Sequence, residues 1–349
     1  MLVVICLIMV LLLASGVLYL LARFIHHKIF GIRCEGNPDF VYFQAADFPG
    51  LQAVPISFPS NRGQMLRGYL YSTGTAPCKG LILFVHGMGG GHTAYTTELY
   101  TLAQNGYQII AYDQTGTMMS DGAALDGFPQ GFLDLQAAVT FVKNSPEYRD
   151  YPLFLIGHSW GAYTVCNFPH LHERIDGVVA LSPFDHIPSL LASLAGSQTG
   201  RKLAFLKPFF LLQNLLDFGR VSLFRPSYSL HEADCPVLIF HGDADPVVPL
   251  ALSPVSIREA FEANSNIQIQ ICPGRKHNVY ASAGAEQYMD QVFSEYAELE
   301  KSYHKQIPSE IRREFFEKVD FRRMTVEDPS VMKQITDFLD ACPRRPVEN

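Results

Sequence analysis

The 349-residue chain lacks a basic excess: 27 Lys and Arg stand against 34 Asp and Glu, giving a formal charge of −7 and a pI near 5.9. Its basic residues gather only in two short runs, Arg23 to Arg33 and Arg312 to Arg323. This argues against a nucleic-acid partner, which would demand a larger positive footprint. The seven cysteines show no C-x-x-C spacing, so neither a zinc ribbon nor a compact disulfide framework is indicated. Cys6 lies in an apolar run; the six others permit disulfides by number, but free thiols are the plainer reading. No Pro/Gly/Ser-rich linker divides the chain, which favours one large domain with appendages. The glycine-rich run Gly87-Met88-Gly89-Gly90-Gly91 has no G-K-S/T after it, so a nucleotide-phosphate cradle is not indicated. No cofactor and no metal are implied.

A further absence is informative: from Met1 to Ala22 there is no charged side chain. About twenty such residues, at roughly 1.5 Å each, cross a hydrocarbon core of about 30 Å. The expectation is a transmembrane helix over residues 1–24, followed by a linker over 25–50. A cleaved signal peptide is the rival, but the run has no basic n-region and no clear small-x-small site at its end. Arg23, Lys28 and Arg33 follow the span and nothing basic precedes it, so the positive-inside rule places the bulk of a single-pass membrane protein in the cytoplasm.

Beyond this segment the hydrophobic pattern alternates. Val54 to Phe58 and Met65 to Tyr71 read as a hairpin. Leu81 to Val85, Tyr107 to Tyr112, Leu153 to Ile156, Gly177 to Leu181, Val237 to Phe240 and Ile267 to Cys272 read as strands, mostly continuous apolar runs separated by helical stretches. Those intervening stretches include Ala94 to Asn105, a helix from Gly131, and one near Ser256 to Ala263. This predicts an α/β fold, a mostly parallel doubly wound sheet. The alternation stops between Ser182 and Cys235, where a Leu- and Phe-rich stretch broken at Pro208 predicts a helical cap over residues 183–234. Residues 286–327 read as an insertion before a last helix that Asp328 caps and Pro329 starts. Residues 343–349 are a tail.

The stretch that organises the chain is Gly157-His158-Ser159-Trp160-Gly161, a G-x-S-x-G pattern directly after an apolar strand. A serine hydroxyl is a poor nucleophile at neutral pH; it needs a histidine to take its proton and a carboxylate to orient that histidine. Two later strands end in suitable residues. One runs into His241-Gly242-Asp243-Ala244-Asp245, which offers two acids, and the other into Gly274-Arg275-Lys276-His277.

These motifs resemble the α/β-hydrolases over roughly Leu51 to Cys342, with likenesses to monoglyceride-lipase, lysophospholipase and proline-iminopeptidase members. The resemblance implies an α/β-hydrolase fold, with Ser159 as nucleophile, His277 as base and Asp245 rather than Asp243 as the orienting acid. His86-Gly87-Met88-Gly89 resembles the family's His-Gly-x-Gly loop, which nominates the backbone N–H groups of Met88 and Trp160 as the oxyanion hole. His86, His158 and His241 occupy loop-shaping positions. Asp113-Gln114-Thr115-Gly116 departs from the family's usual loop in lacking an arginine and a second glycine. The implied activity is hydrolysis of ester or related acyl bonds through an acyl-enzyme, on a lipid-like or acyl substrate. The same fold also serves peptidases, thioesterases, acyltransferases and non-catalytic binding proteins.

Overall fold

The computed structural model describes residues 1–74, 77–171 and 174–343, so all but the first residue of the expected tail lies outside the described residues. Eight strands form one sheet: β1 (Gln52–Pro59), β2 (Met65–Ser72), β3 (Leu81–Val85), β4 (Gln108–Tyr112), β5 (Leu153–His158), β6 (Gly177–Leu181), β7 (Val237–Gly242) and β8 (Ile267–Cys272). Their spatial order is β1-β2-β4-β3-β5-β6-β7-β8. The β1–β2 and β2–β4 pairs are antiparallel, and every pairing from β4 to β8 is parallel.

The sequence explains which strands lie inside. Every residue of β3, β5, β6 and β7 is buried, as their unbroken apolar runs require of strands covered on both faces. The edge strand β8 instead alternates: Ile267, Ile269 and Ile271 turn inward while Gln268 and Gln270 are exposed. Helices cover both faces. On one lie α3 (Phe128–Asn144), through Leu135, Ala138, Val139 and Val142, and α4 (Trp160–Cys166). On the other lie α2 (Thr96–Gln104) and the closing helix, which presents Met332, Ile335 and Leu339. Burying each such side chain is worth about 1.5–3 kcal/mol.

The N-terminal helix α1 spans Leu2–Phe30, six residues beyond the expected span. It is long and apolar enough to cross a membrane by length and composition, with a mean hydropathy of 2.9 over its most apolar window. Residues 25–50 are not a free linker. Ala22 and Phe30 are buried in a cluster with Phe128 and Trp160, so the last turns of α1 belong to the folded core. After the helix, Cys34 exchanges backbone hydrogen bonds with Gly116 and Met118, and the Arg33 guanidinium donates to the carbonyls of Met118, Ser120 and Gly122 at 2.7–2.9 Å. A segment whose polar backbone groups find these partners is ordered by the body of the protein.

Between β6 and β7 lie α5 (Ile187–Thr199), α6 (Lys207–Phe218) and α7 (Pro226–His231). Pro208 does not break a helix here. It sits in the first turn of α6, where its missing N–H has no intrahelical acceptor to lose. The cap proper is α5 and α6; α7, expected in the cap, packs Leu230 into the body of the domain beside Val165 and Val255. The stretch expected as a helix near Ser256 is 3-10 turns over Pro254–Phe261 with a kink at Ile257. Only Pro254, Val255 and Phe261 are buried there, too few to hold one apolar stripe.

The region after β8 begins with α8 (Ala283–Ser302), capped by Ser282, so it starts before residue 286. It continues through α9 (Ser309–Phe316) and α10 (Phe321–Met324) to α11 (Pro329–Ala341), where the Asp328 carboxylate accepts from the amides of Ser330 and Val331 as its sequence position predicts. This region packs on the stretch after α1: the Phe40 ring lies 5.1 Å from Phe316, 5.6 Å from Phe321 and 6.3 Å from Phe293.

Candidate active site

Ser159 sits between β5 and α4 with φ 54° and ψ −111°, a conformation an L-residue adopts only where its surroundings enforce it. Both flanking glycines are required by close approach. A Cβ on Gly161 would lie 1.9 Å from the Val85 carbonyl oxygen, and one on Gly157 would lie 2.3 Å from the oxygen of Gly161. The Ser159 amide donates to Leu181 O at 2.8 Å, fixing the turn to β6. The serine is thus held partly exposed at the carboxyl edge of the sheet, at the N-terminus of α4, where the helix dipole favours negative charge.

Asp245 and His277, from the ends of β7 and β8, meet at 2.7 Å between Oδ2 and Nδ1. Asp245 is buried, and its other oxygen accepts from the amides of Val247 at 2.8 Å and Val248 at 2.9 Å. Those two bonds fix the carboxylate, and the carboxylate in turn fixes the proton of His277 on Nδ1, leaving Nε2 as an acceptor. Asp243 lies elsewhere: it is exposed and accepts from the amide of Gly274 at 2.7 Å.

Ser159 and His277 line one cavity of about 410 Å3, along with Met88, Phe128, His158 and, from the cap, Leu190 and Leu194. The structure therefore brings Ser159, His277 and Met88 to one space, with Trp160 next in chain to Ser159. The indole of Trp160 points away and is buried, donating to Phe128 O at 2.9 Å, so only its backbone can serve the cavity. A groove of about 600 Å3 between β1 and α3 is larger, but no ionisable side chain lines it.

The three loop histidines each face a backbone group. His86 is buried, its Nε2 accepts from the Gln114 amide at 2.9 Å, and the Gln114 side chain returns a bond to His86 O at 2.8 Å. Gln114 thereby braces the glycine-rich loop in the stretch that lacks the usual arginine. His241 contacts Val248 O at 2.9 Å. His158 faces His277 O through Nε2 at 3.2 Å and the Tyr95 hydroxyl through Nδ1 at 2.8 Å. A nitrogen facing a carbonyl must donate, so Nδ1 accepts from Tyr95, and burial holds the His158 pKa well below its ordinary value.

Residues that no motif announces also set the geometry. Ser182 Oγ donates to His277 O at 2.7 Å, so Ser182 and His158 hold the backbone of His277 from two sides. Ser182 directly follows β6 and has φ 56°, and its position beyond a strand end was the only signal in the sequence. Glu286 accepts from the Lys276 amide at 2.9 Å and pairs with Arg275 at 3.3 Å, and Arg275 also reaches Asp328 at 2.8 Å. The start of α8 and the cap of α11 thus clamp the loop that carries His277. Among the described residues no group of three or more His, Cys, Asp or Glu side chains could hold a metal ion, and the cysteines are free thiols.

Sheet order, strand-end residues and covering helices define an α/β-hydrolase fold. The family model described as serine aminopeptidase, S33 matches residues 76–234. The lysophosphatidylserine lipase ABHD12 of Macaca fascicularis is 28% identical over 211 residues, covering 58% of this chain and 51% of the lipase. The mouse enzyme of the same name is 29% identical over 188 residues, covering 52% of this chain and 46% of the enzyme. The chain thus spans about half the length of these curated relatives. Among solved structures, the Pyrococcus furiosus esterase Pf2001 superposes with a TM-score of 0.55 at 18% identity, covering 78% of this chain and 98% of the esterase. An acylaminoacyl peptidase of Pyrococcus horikoshii gives 0.51 at 19% identity, covering 67% of this chain and 39% of the peptidase.

Proposed function

We propose that this chain is a membrane-anchored serine hydrolase that cleaves ester or related acyl bonds, and that its substrate is lipid-like. The observation that carries the reading is the pair of buried Asp245 and cavity-lining His277, 2.7 Å apart, at the cavity into which the strained turn presents Ser159. His277 Nε2 takes the proton of Ser159 as Oγ bonds to the acyl carbon, and the amides of Met88 and Trp160 receive the negative oxygen that forms. Collapse breaks the bond to the alcohol, which leaves with the proton from His277. Water then repeats the sequence on the acyl-enzyme, releasing the acid and restoring the serine.

The lipid-like substrate has three supports. The named relatives are lysophosphatidylserine lipases. The cavity walls include Leu190, Leu194, Val247 and Val248. Finally, α1 is joined to the cap, the Tyr19 hydroxyl donating to Gln213 of α6 at 2.9 Å, and α6 leaves Leu212 and Leu216 exposed beside it. A bilayer around α1 would therefore lie close to the cap. With Arg23 and Lys28 exposed just inside the folded domain, the positive-inside rule assigns that domain to the cytoplasm.

Two measurements test this reading. Full-length protein in detergent should turn over p-nitrophenyl esters and leave aminoacyl p-nitroanilides essentially uncut; release from the anilides alone would favour a peptidase, as the aminopeptidase family model and the acylaminoacyl peptidase neighbour would suggest. Washing membranes at alkaline pH should leave the protein in the pellet, and its recovery in the supernatant would rule out a spanning α1.

A further inference from the structure

The cavity that holds Ser159 shares a wall with a second one: Ala94, Asn278 and Tyr280 line both. The second cavity, about 240 Å3, lies between the Phe40–Phe43 stretch and the region after β8, which contributes Met289, Phe293 and Met324. Tyr280 marks the junction, its ring 5.0 Å from that of His158, whose own ring is 4.8 Å from the His277 imidazole. The second cavity therefore abuts the Ser159 cavity at Tyr280 and extends away from it, under α8 and α10.

We propose that this second cavity receives the hydrocarbon chain of the acyl group whose carbonyl is attacked by Ser159. The proposal rests on the hydrolase reading above and gives the region 286–327 a role, as one wall of the acyl site. Three observations support it. Thioether and aromatic side chains supply the far wall, and flexible methionines suit a chain of variable shape. No basic side chain lines the cavity, and its only carboxylic acid, Glu98, is buried. Burial, with the Glu327 carboxylate beside it, raises the Glu98 carboxyl well above the ordinary range, which favours its uncharged form in this wall. The division of space also suits the chemistry. The acyl chain stays covalently attached until water arrives and needs an apolar home throughout, whereas the alcohol half must leave through the open pocket under α5.

Chain-length profiles test this, using full-length protein in detergent with p-nitrophenyl esters from acetyl to palmitoyl. Met324→Trp, which fills the cavity, should lower kcat/KM for acyl chains of twelve or more carbons by about tenfold or more, since each CH2 left in water forfeits a contribution of its own, while acetyl and butyryl esters stay within about twofold. Met289→Ala, which widens the cavity, should move the preferred chain to greater length and decides the matter if Met324→Trp fails to fold. Folded variants whose profiles superimpose on that of the parent overturn the proposal. So does a change that appears only when the long chain is placed on the alcohol side. Failure of the underlying hydrolase reading looks different: the parent protein would then cleave none of the esters, the short ones included.

Discussion

Ser159→Ala is expected to abolish labelling by a fluorophosphonate probe and to lower ester turnover by on the order of 10^6-fold. The loss is large because the proposed mechanism has no second nucleophile: without Oγ no covalent intermediate could form, leaving only binding and the proposed oxyanion donors. Thermal stability should change by no more than about 1 kcal/mol. Alanine keeps the Cβ, so the backbone at φ 54° is neither relieved nor strained further, and the amide bond to Leu181 O is untouched. A folded parent protein that fails to label, or an alanine variant that labels equally, would move the chain to the non-catalytic binding proteins of this fold. Intact-mass and melting measurements on the same samples separate loss of chemistry from loss of fold.

Asp245→Asn should cut turnover by about 10^4-fold with little change in KM. The asparagine would keep its oxygen towards the amides of Val247 and Val248, which need an acceptor, and so would turn its NH2 towards His277. A donor in that position forces the imidazole proton onto Nε2, the atom that must accept from Ser159. Asp243→Asn is the control. Its carboxylate is exposed and serves only the Gly274 amide among the contacts described, so turnover should stay within severalfold. If Asp243→Asn carried the large loss and Asp245→Asn the small one, the assignment of the orienting acid would be reversed.

Much of the fold was legible in the sequence, for local reasons. Strands buried on both faces must be apolar throughout, so β3, β5, β6 and β7 stood out as runs. The elbow was legible because a Cβ at Gly157 or Gly161 would collide with backbone, which ties the pattern to one geometry. What could not be read was tertiary. Ser182 and Tyr95 act on the loop of His277 from distant parts of the chain, and nothing in their own neighbourhoods signals it. Arg33 counted as a juxtamembrane charge, yet its guanidinium is committed to three carbonyls. Pro208 looked like a breaker because a proline inside a helix and one in its first turn are identical in sequence.

The way α1 ends also decides where the protein can be divided. The helix is exposed over its first turns and core-forming over its last, where Phe30 packs 4.9 Å from Phe128, whose ring meets Trp160 edge-on at 5.9 Å. Cutting after Phe30 would remove more than a tether. It would unplug the hydrophobic cluster directly behind the elbow and leave the underside of the cap wet. Trimming ahead of Tyr19 is therefore expected to keep this cluster intact, with the rest of the helix as a structural stub, and a melting measurement on the trimmed protein checks it.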